Sequence, residues 1–179
     1  VEIGSGNSTR FARWASDALG LETRIVSIDP EPRIDIDGLC DERVRLPLES
    51  ADLAAFNNLT AGDIVFCDSS HRAFANSDVT TFFLDVLPRL GPGTVWGLHD
   101  ICSPNDYMPI FAERCYNEQY MLEVYMLGGG GGDRLLWGSH HIHINADHLL
   151  EPLSPLLSHR PSIDTFGGCV WFQRAKARR

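Results

Sequence analysis

Four short apolar runs in this chain each stop at polar residues. Val1–Ile3 stops at Gly4-Ser5-Gly6, "TRIVSID" at Asp29, "GDIVFCD" at Asp68 and "TVWGLHD" at His99-Asp100. Between them lie patterns with helical spacing. Strands that alternate with helices make a parallel sheet with crossover connections. Every crossover returns the chain to the same side, so the four polar ends share one edge of the sheet. Ligands bind there in open parallel sheets, at the point where the strand order reverses.

The elements follow from spacing and caps. Asn7 or Ser8 caps a helix whose apolar face is Phe11, Trp14, Ala15, Ala18 and Leu19. "DERVRLPLE" reads as a weak third strand and "SADLAAFNNL" as a short helix capped by its Ser. "NSDVTTFFLDVLPRL" puts Val79, Phe82, Phe83, Val86 and Leu90 on one helical face. One long helix, carrying Tyr107, Tyr116, Tyr120 and Tyr125, is expected over Tyr107–Leu127. The Gly128–Gly132 run would end it as a flexible connector. "DRLLWGSHHIHI" reads as a sixth strand, "ADHLLEPLSPLL" as a broken helix and "GGCVWFQRA" as the last strand.

At 179 residues the whole chain, 1–179, is expected to form a single domain. Val1-Glu2-Ile3 reads as the end of a strand, so an upstream segment is expected, one that could complete the pocket or an oligomer contact. A net charge of −9 argues against nucleic acid, which needs a basic face. The basic tail of Arg174, Lys176, Arg178 and Arg179 reads as a solvated end. No apolar run is long enough to span a bilayer. Five scattered cysteines without a CxxC pair read as reduced thiols of a cytoplasmic protein.

The glycine turn narrows the ligand. A dinucleotide fingerprint needs glycine where this chain has Thr9, and no Lys-Ser or Lys-Thr follows to make a P-loop. Glu2 beside the turn would repel a pyrophosphate, which docks on a helix N-terminus, and attract an ammonium. A cofactor with an amino-acid end and a nucleoside end satisfies both facts. Backbone N–H groups of Gly4 and Gly6 would take its carboxylate, Glu2 would balance its amine, and Asp29 would accept both ribose hydroxyls.

With "VEIGSGNSTRFA", "IVSIDPEPR", the Asp68-Ser69-Ser70-His71 stretch, His99-Asp100, "YNEQYML" and the closing "GGCVWFQR", the chain resembles the class I S-adenosylmethionine-dependent methyltransferases. More narrowly, it is similar to a small-molecule branch with an Asp-Gly-Ser-His stretch after the fourth strand and His-Asp after the fifth; here Ser69 stands where that branch usually has Gly. The resemblance implies an α/β, Rossmann-like, doubly wound sheet of seven strands, mostly parallel with the last antiparallel. It implies a cofactor site of Glu2, Gly4, Ser5, Gly6, Asp29 and Asp68, with adenine near Pro47–Ser50. The implied partner is a small-molecule acceptor, and a homo-oligomer stays open.

If the acceptor is a hydroxyl, its proton must be taken or its pKa lowered. Asp68, His71 and His99 are the catalytic candidates. Asp68, His99 and Asp100 could hold a divalent cation such as Mg²⁺, and a softer metal could recruit histidine. His141 and His143 would share a strand face and could bind zinc or nickel; with His140 and His148 they read better as a polar strand end. Two other readings are an NAD(P)-dependent oxidoreductase and a binding domain of the same fold without turnover.

Overall fold

The computed structural model describes residues 1–159 and 166–175. Seven strands form one sheet: β1 (Glu2–Ile3), β2 (Val26–Ile28), β3 (Glu42–Val44), β4 (Ile64–Cys67), β5 (Val95–Leu98), β6 (Arg134–Gly138) and β7 (Val170–Gln173). Their order is β3-β2-β1-β4-β5-β7-β6, and β7 runs antiparallel to both β5 and β6 while the other pairs are parallel. The expected Rossmann-like α/β sheet is therefore present. The chain leaves β1 toward β2 and β3, then returns to the other side of β1 for β4 and β5. The reversal lies between β1 and β4, where a crevice opens beyond the carboxyl ends.

One face of the sheet carries the main core. Ile3, Val65, Cys67, Trp96, Leu98 and Phe172 pack with Val79, Phe82, Phe83, Val86 and Leu90. The latter five lie on or beside a helical run. Ser77 caps it by accepting from Thr80 N, and α2 (Asp78–Thr81) continues as a π turn over Phe82–Val86 and a 3₁₀ turn over Leu87–Arg89. Trp96 stacks on Phe172 with ring centroids 4.5 Å apart. Its indole N–H donates 2.8 Å to Asp133, which also accepts from the Tyr125 hydroxyl and from Arg174. Arg174 is thus a structural partner and not part of a solvated tail; Lys176, Arg178 and Arg179 lie outside the described residues.

Helix α1 (Asn7–Ala18) corrects the expected burial. Phe11 and Trp14 are each 69 % exposed, and Ala18 and Leu19 also face outward. The buried residues are Thr9 and Ser16. The reason lies beneath the helix, where the sheet presents the buried carboxylate of Glu2. A buried carboxylate needs hydrogen-bond donors, and Thr9 Oγ1 supplies one. Ser16 Oγ donates to Leu21 O, and Arg13 reaches Leu39 O and Asp41. Hydrogen bonding, and not apolar spacing, orients this helix.

Four other expectations change. "SADLAAFNNL" forms only a 3₁₀ turn, Leu53–Phe56, which Asp52 caps by accepting from Ala54 N; another 3₁₀ turn, Leu48–Ser50, ends at its first residue. The long helix is broken into α3 (Pro109–Glu113) and α4 (Glu118–Leu127). Between them Cys115 has φ +60°, and the amides of Asn117 and Glu118 donate to His71 O, so the loop after β4 sets where α4 begins. The glycine run caps α4 at Gly128 and then makes a 3₁₀ turn, Gly130–Gly132. The sixth strand stops at Gly138: Ser139 N–H still donates to Cys169 O, but the Cys169 N–H is taken by the Ser139 hydroxyl and not by its carbonyl, and α5 (Ser139–Asn145) follows. Beyond it come a 3₁₀ stretch, Asp147–Leu153, and α6 (Ser154–His159), the broken helix that was expected.

Two substitutions separate the apolar and polar accounts. Asp133→Ala strands the Trp96 N–H and the Arg174 guanidinium, and urea unfolding should show a loss of about 3–5 kcal/mol. Trp14→Ala, on the outward face of α1, should change stability by less than about 0.5 kcal/mol.

Candidate functional site

A cleft of about 740 Å³ opens at the reversal point. Its walls include the turn from Gly4 to Ser8, Asp29 after β2, Glu49 in the turn after β3, Asp68 after β4 and His99 after β5. Phe11, Phe66 and Cys169 also line it.

Glycine is required at position 4 by the protein itself. Its φ is +80°, and a Cβ there would stand 1.9 Å from the carbonyl oxygen of Asp68. At Gly6 a Cβ would meet nothing within 4 Å, so this glycine leaves open space beside the start of α1. The expectation that Gly4 and Gly6 amides would take a ligand carboxylate is not met. Gly4 N donates to Ile28 O at 3.1 Å, and Gly6 N to Thr9 Oγ1 at 3.0 Å. The amides of Asn7 and Ser8 lie in the first turn of α1, which lacks intrahelical acceptors, and both residues line the cleft.

Glu2 needs a larger correction. It does not line the cleft. Its carboxylate lies buried under α1, accepting from the Thr9 hydroxyl, and burial raises its pKa. The cleft takes its negative charge from other residues. Asp29 accepts from Ser5 N at 2.6 Å and from Glu31 N at 2.8 Å, one bond per oxygen, so each oxygen keeps a lone-pair site. Ser5 is anchored below by its hydroxyl bond to Ser27, at 2.5 Å. Glu49, in the stretch where adenine was expected, has a buried Oε2 with no hydrogen-bond partner. Sequence reasoning missed Glu49 because a carboxylate in a "PLES" turn looks like any solvated acid.

At the far end of the cleft stand Asp68 and His99. His99 Nδ1 lies 3.0 Å from Asp100 Oδ1 and 3.5 Å from Asp68 Oδ1, with neither oxygen in line for a hydrogen bond, so these are charge contacts. Asp100, then Asp68 and Cys169, push its pKa up to about 12, so it is a cation at neutral pH. The two imidazoles hold the Asp68 carboxyl well below the usual carboxylate range, although burial alone would raise it.

His71 stands behind this wall and not in it: it is 1 % exposed and does not line the cleft. Its Nδ1 lies 2.9 Å from Glu118 Oε2. Nε2 lies 3.2 Å from Asp68 Oδ1 and 3.5 Å from Asp100 Oδ2, but neither oxygen is in line for a hydrogen bond. Burial opposes a charge on this ring, yet Asp68 and Glu118 push its pKa up to about 9. Asp68, His71 and Asp100 bring three donor atoms within 4.8 Å of one another. This converging group differs from the expected set of Asp68, His99 and Asp100 in its histidine. Both His71 (φ +60°) and Asp100 (φ +53°) hold left-handed backbone, a strain that concentrates at functional sites.

The other histidines stay apart. His141 and His143 lie on α5, where residues two apart do not share a face. His140 is buried edge-on to Phe166, and burial lowers its pKa. His148 is exposed. Of the tyrosines, Tyr107 is buried, Tyr116 packs on His71, Tyr120 bonds Asp106 and Tyr125 bonds Asp133.

Residues 1–101, just over half of the chain, match the family model described as a methyltransferase domain. The chain belongs to the methyltransferase domain family. The matched span runs from β1 through Asp100, so the cleft residues Gly4, Asp29, Asp68 and His99 all fall inside it, while Glu118 and Cys169 fall outside. A search of curated proteins finds none that matches. Among the described residues of this methyltransferase domain, no helix is long and apolar enough to cross a membrane.

The pKa of His99 gives a pH test. It rises from 6.5 to about 12 on folding, so its pairing with Asp100 stabilises fully below pH 6.5 and is lost as pH climbs toward 12. Metal-free protein should lose stability between pH 7 and 9, and His99→Asn should roughly halve that slope in urea titrations, the rest coming from His71 with its pKa of about 9.

Proposed function

We propose that this methyltransferase domain passes the methyl group of S-adenosyl-L-methionine to an oxygen of a small-molecule acceptor, assisted by a divalent cation. The observation that carries the reading is the charge layout of the cleft. Helix-start amides lie at the reversal point, a half-satisfied Asp29 and an orphaned Glu49 carboxylate oxygen lie on one side, and Asp68 on the other. That layout suits a zwitterionic head joined to a nucleoside. It disfavours a diphosphate, because Asp29, Glu49 and Asp68 outnumber the nearby cations Arg33 and His99.

When bound, this cofactor supplies a methyl group on a good sulfonium leaving group. The amides of Asn7 and Ser8 would receive its carboxylate, Asp68 its ammonium, and Asp29 its ribose hydroxyls. The open space at Gly6 fits such a group. His99, protonated at neutral pH, orients and balances charge and does not remove the acceptor's proton. A cation held by Asp68, His71 and Asp100 would lower the pKa of an acceptor hydroxyl. The five free cysteines support a reducing, cytoplasmic setting.

Calorimetry should register S-adenosylmethionine and not NAD; the opposite result overturns the reading in favour of an oxidoreductase. Asp29→Ala should weaken cofactor binding by about 1–3 kcal/mol, the cost of leaving buried hydroxyls unpaired. A labelled-methyl screen over small hydroxylated acceptors should find turnover that EDTA removes. Turnover unchanged by chelation would delete the cation, and binding without any turnover would favour a non-catalytic domain.

A further inference from the structure

Glu118 has no role in the cleft, yet it is a fully buried carboxylate, 0 % exposed, at the start of α4. One oxygen meets His71 Nδ1 and the other, Oε1, has no partner. Burying a carboxylate this way costs several kcal/mol, and an apolar residue of similar volume would serve the fold at least as well. The arrangement around it looks directional. The His71 carbonyl is gripped by the amides of Asn117 and Glu118, at 2.9 and 3.3 Å. The Tyr116 ring lies 4.5 Å from the imidazole and closes one side. Nδ1 is held by Glu118, so the ring cannot turn, and the buried Nε2 points between two carboxylates without a hydrogen bond to either.

Donors held about 2.1 Å from one ion stand about 3.0 Å apart in octahedral and about 3.4 Å apart in tetrahedral geometry. Nε2 stands 3.2 Å from Asp68 Oδ1 and 3.5 Å from Asp100 Oδ2. A carboxylate on the far nitrogen of an imidazole is what fixes the tautomer and raises the basicity of a metal-ligating histidine.

We infer that Glu118 is a positioning residue that aims His71 Nε2 at a cation shared with Asp68 and Asp100, and that the nitrogen donor makes the site select a first-row transition ion such as Mn²⁺ over Mg²⁺. The inference rests on the cation in the proposed function and names its ligand set and its class. Binding exchanges the Nε2 proton for the ion. Mg²⁺ prefers oxygen ligands and retained waters, whereas imidazole suits the transition ions. Glu118 acts through His71 and touches neither cofactor nor acceptor.

The test uses the whole chain with Mn²⁺ alone as probe. Wild type should bind one Mn²⁺ at least tenfold more tightly than Mg²⁺. Electron spin-echo spectra of the Mn²⁺ complex should show imidazole nitrogen coupling that His71→Ala abolishes and His99→Ala keeps. Glu118→Ala should weaken Mn²⁺ binding by about 10- to 100-fold. Glu118→Gln, whose amide oxygen still accepts from Nδ1–H, should recover part of that loss, and it decides the matter if Glu118→Ala does not fold. S-adenosylmethionine affinity should stay within twofold in both Glu118 variants. No Mn²⁺ binding, no His71-dependent nitrogen coupling, or unchanged Mn²⁺ affinity in the Glu118 variants would overturn the inference. Failure of wild type to bind S-adenosylmethionine would overturn the cofactor reading and leave the metal result standing.

Discussion

The turn after β1 passes so close to the end of β4 that a single methyl group at position 4 would overlap the Asp68 carbonyl. That approach closes the sheet at its reversal point. It sets the height of Asp68 against the start of α1, and so the width of the cleft between them. Ser5, the next residue, is held from the other side by Asp29 and Ser27. The loop is thus fixed by β2 and β4 together, and its amides are spent on the protein up to Gly6. The first amides left over are those of the helix itself.

Polar burial organises the rest of this end of the molecule. Glu2 sits beneath α1 and turns the helix so that Thr9 and Ser16 face inward while Phe11 and Trp14 face out. Asp133 plays a comparable part at the other end, gathering Trp96, Tyr125 and Arg174 around the antiparallel β7. Glu118 is the third such acid, and it differs from the other two: its carboxylate meets an imidazole and leaves one oxygen unused. Two of these acids tie elements together, and the third aims a ring.

The site divides into two layers. Asp29, Glu49, Asp68 and His99 form the wall that a ligand would touch. His71, Asp100 and Glu118 form a shelf behind Asp68. Asp68 belongs to both layers. It is the residue that joins the buried shelf to the cleft wall.

The sequence by itself determined the alternating architecture, the seven strands and the polar residues that end them. Runs such as "GDIVFCD" and "TVWGLHD" carry their own start, period and stop, and local chemistry suffices to place them. It also determined that Asp29, Asp68, His99 and Asp100 would meet at one edge, since parallel strands point the same way. Only the tertiary structure decided which way side chains turn. Glu2 and Thr9 find each other through a helix rotation that apolar spacing does not report. His71 and Glu118 lie 47 residues apart, and neither carries a local sign of the other. The break that begins α4 at Glu118 is imposed by the loop after β4, and the strand that became α5 was ended by Ser139 bonding across to Cys169. Spacing along a chain encodes which groups share an element; hydrogen bonds between distant elements decide where those groups point.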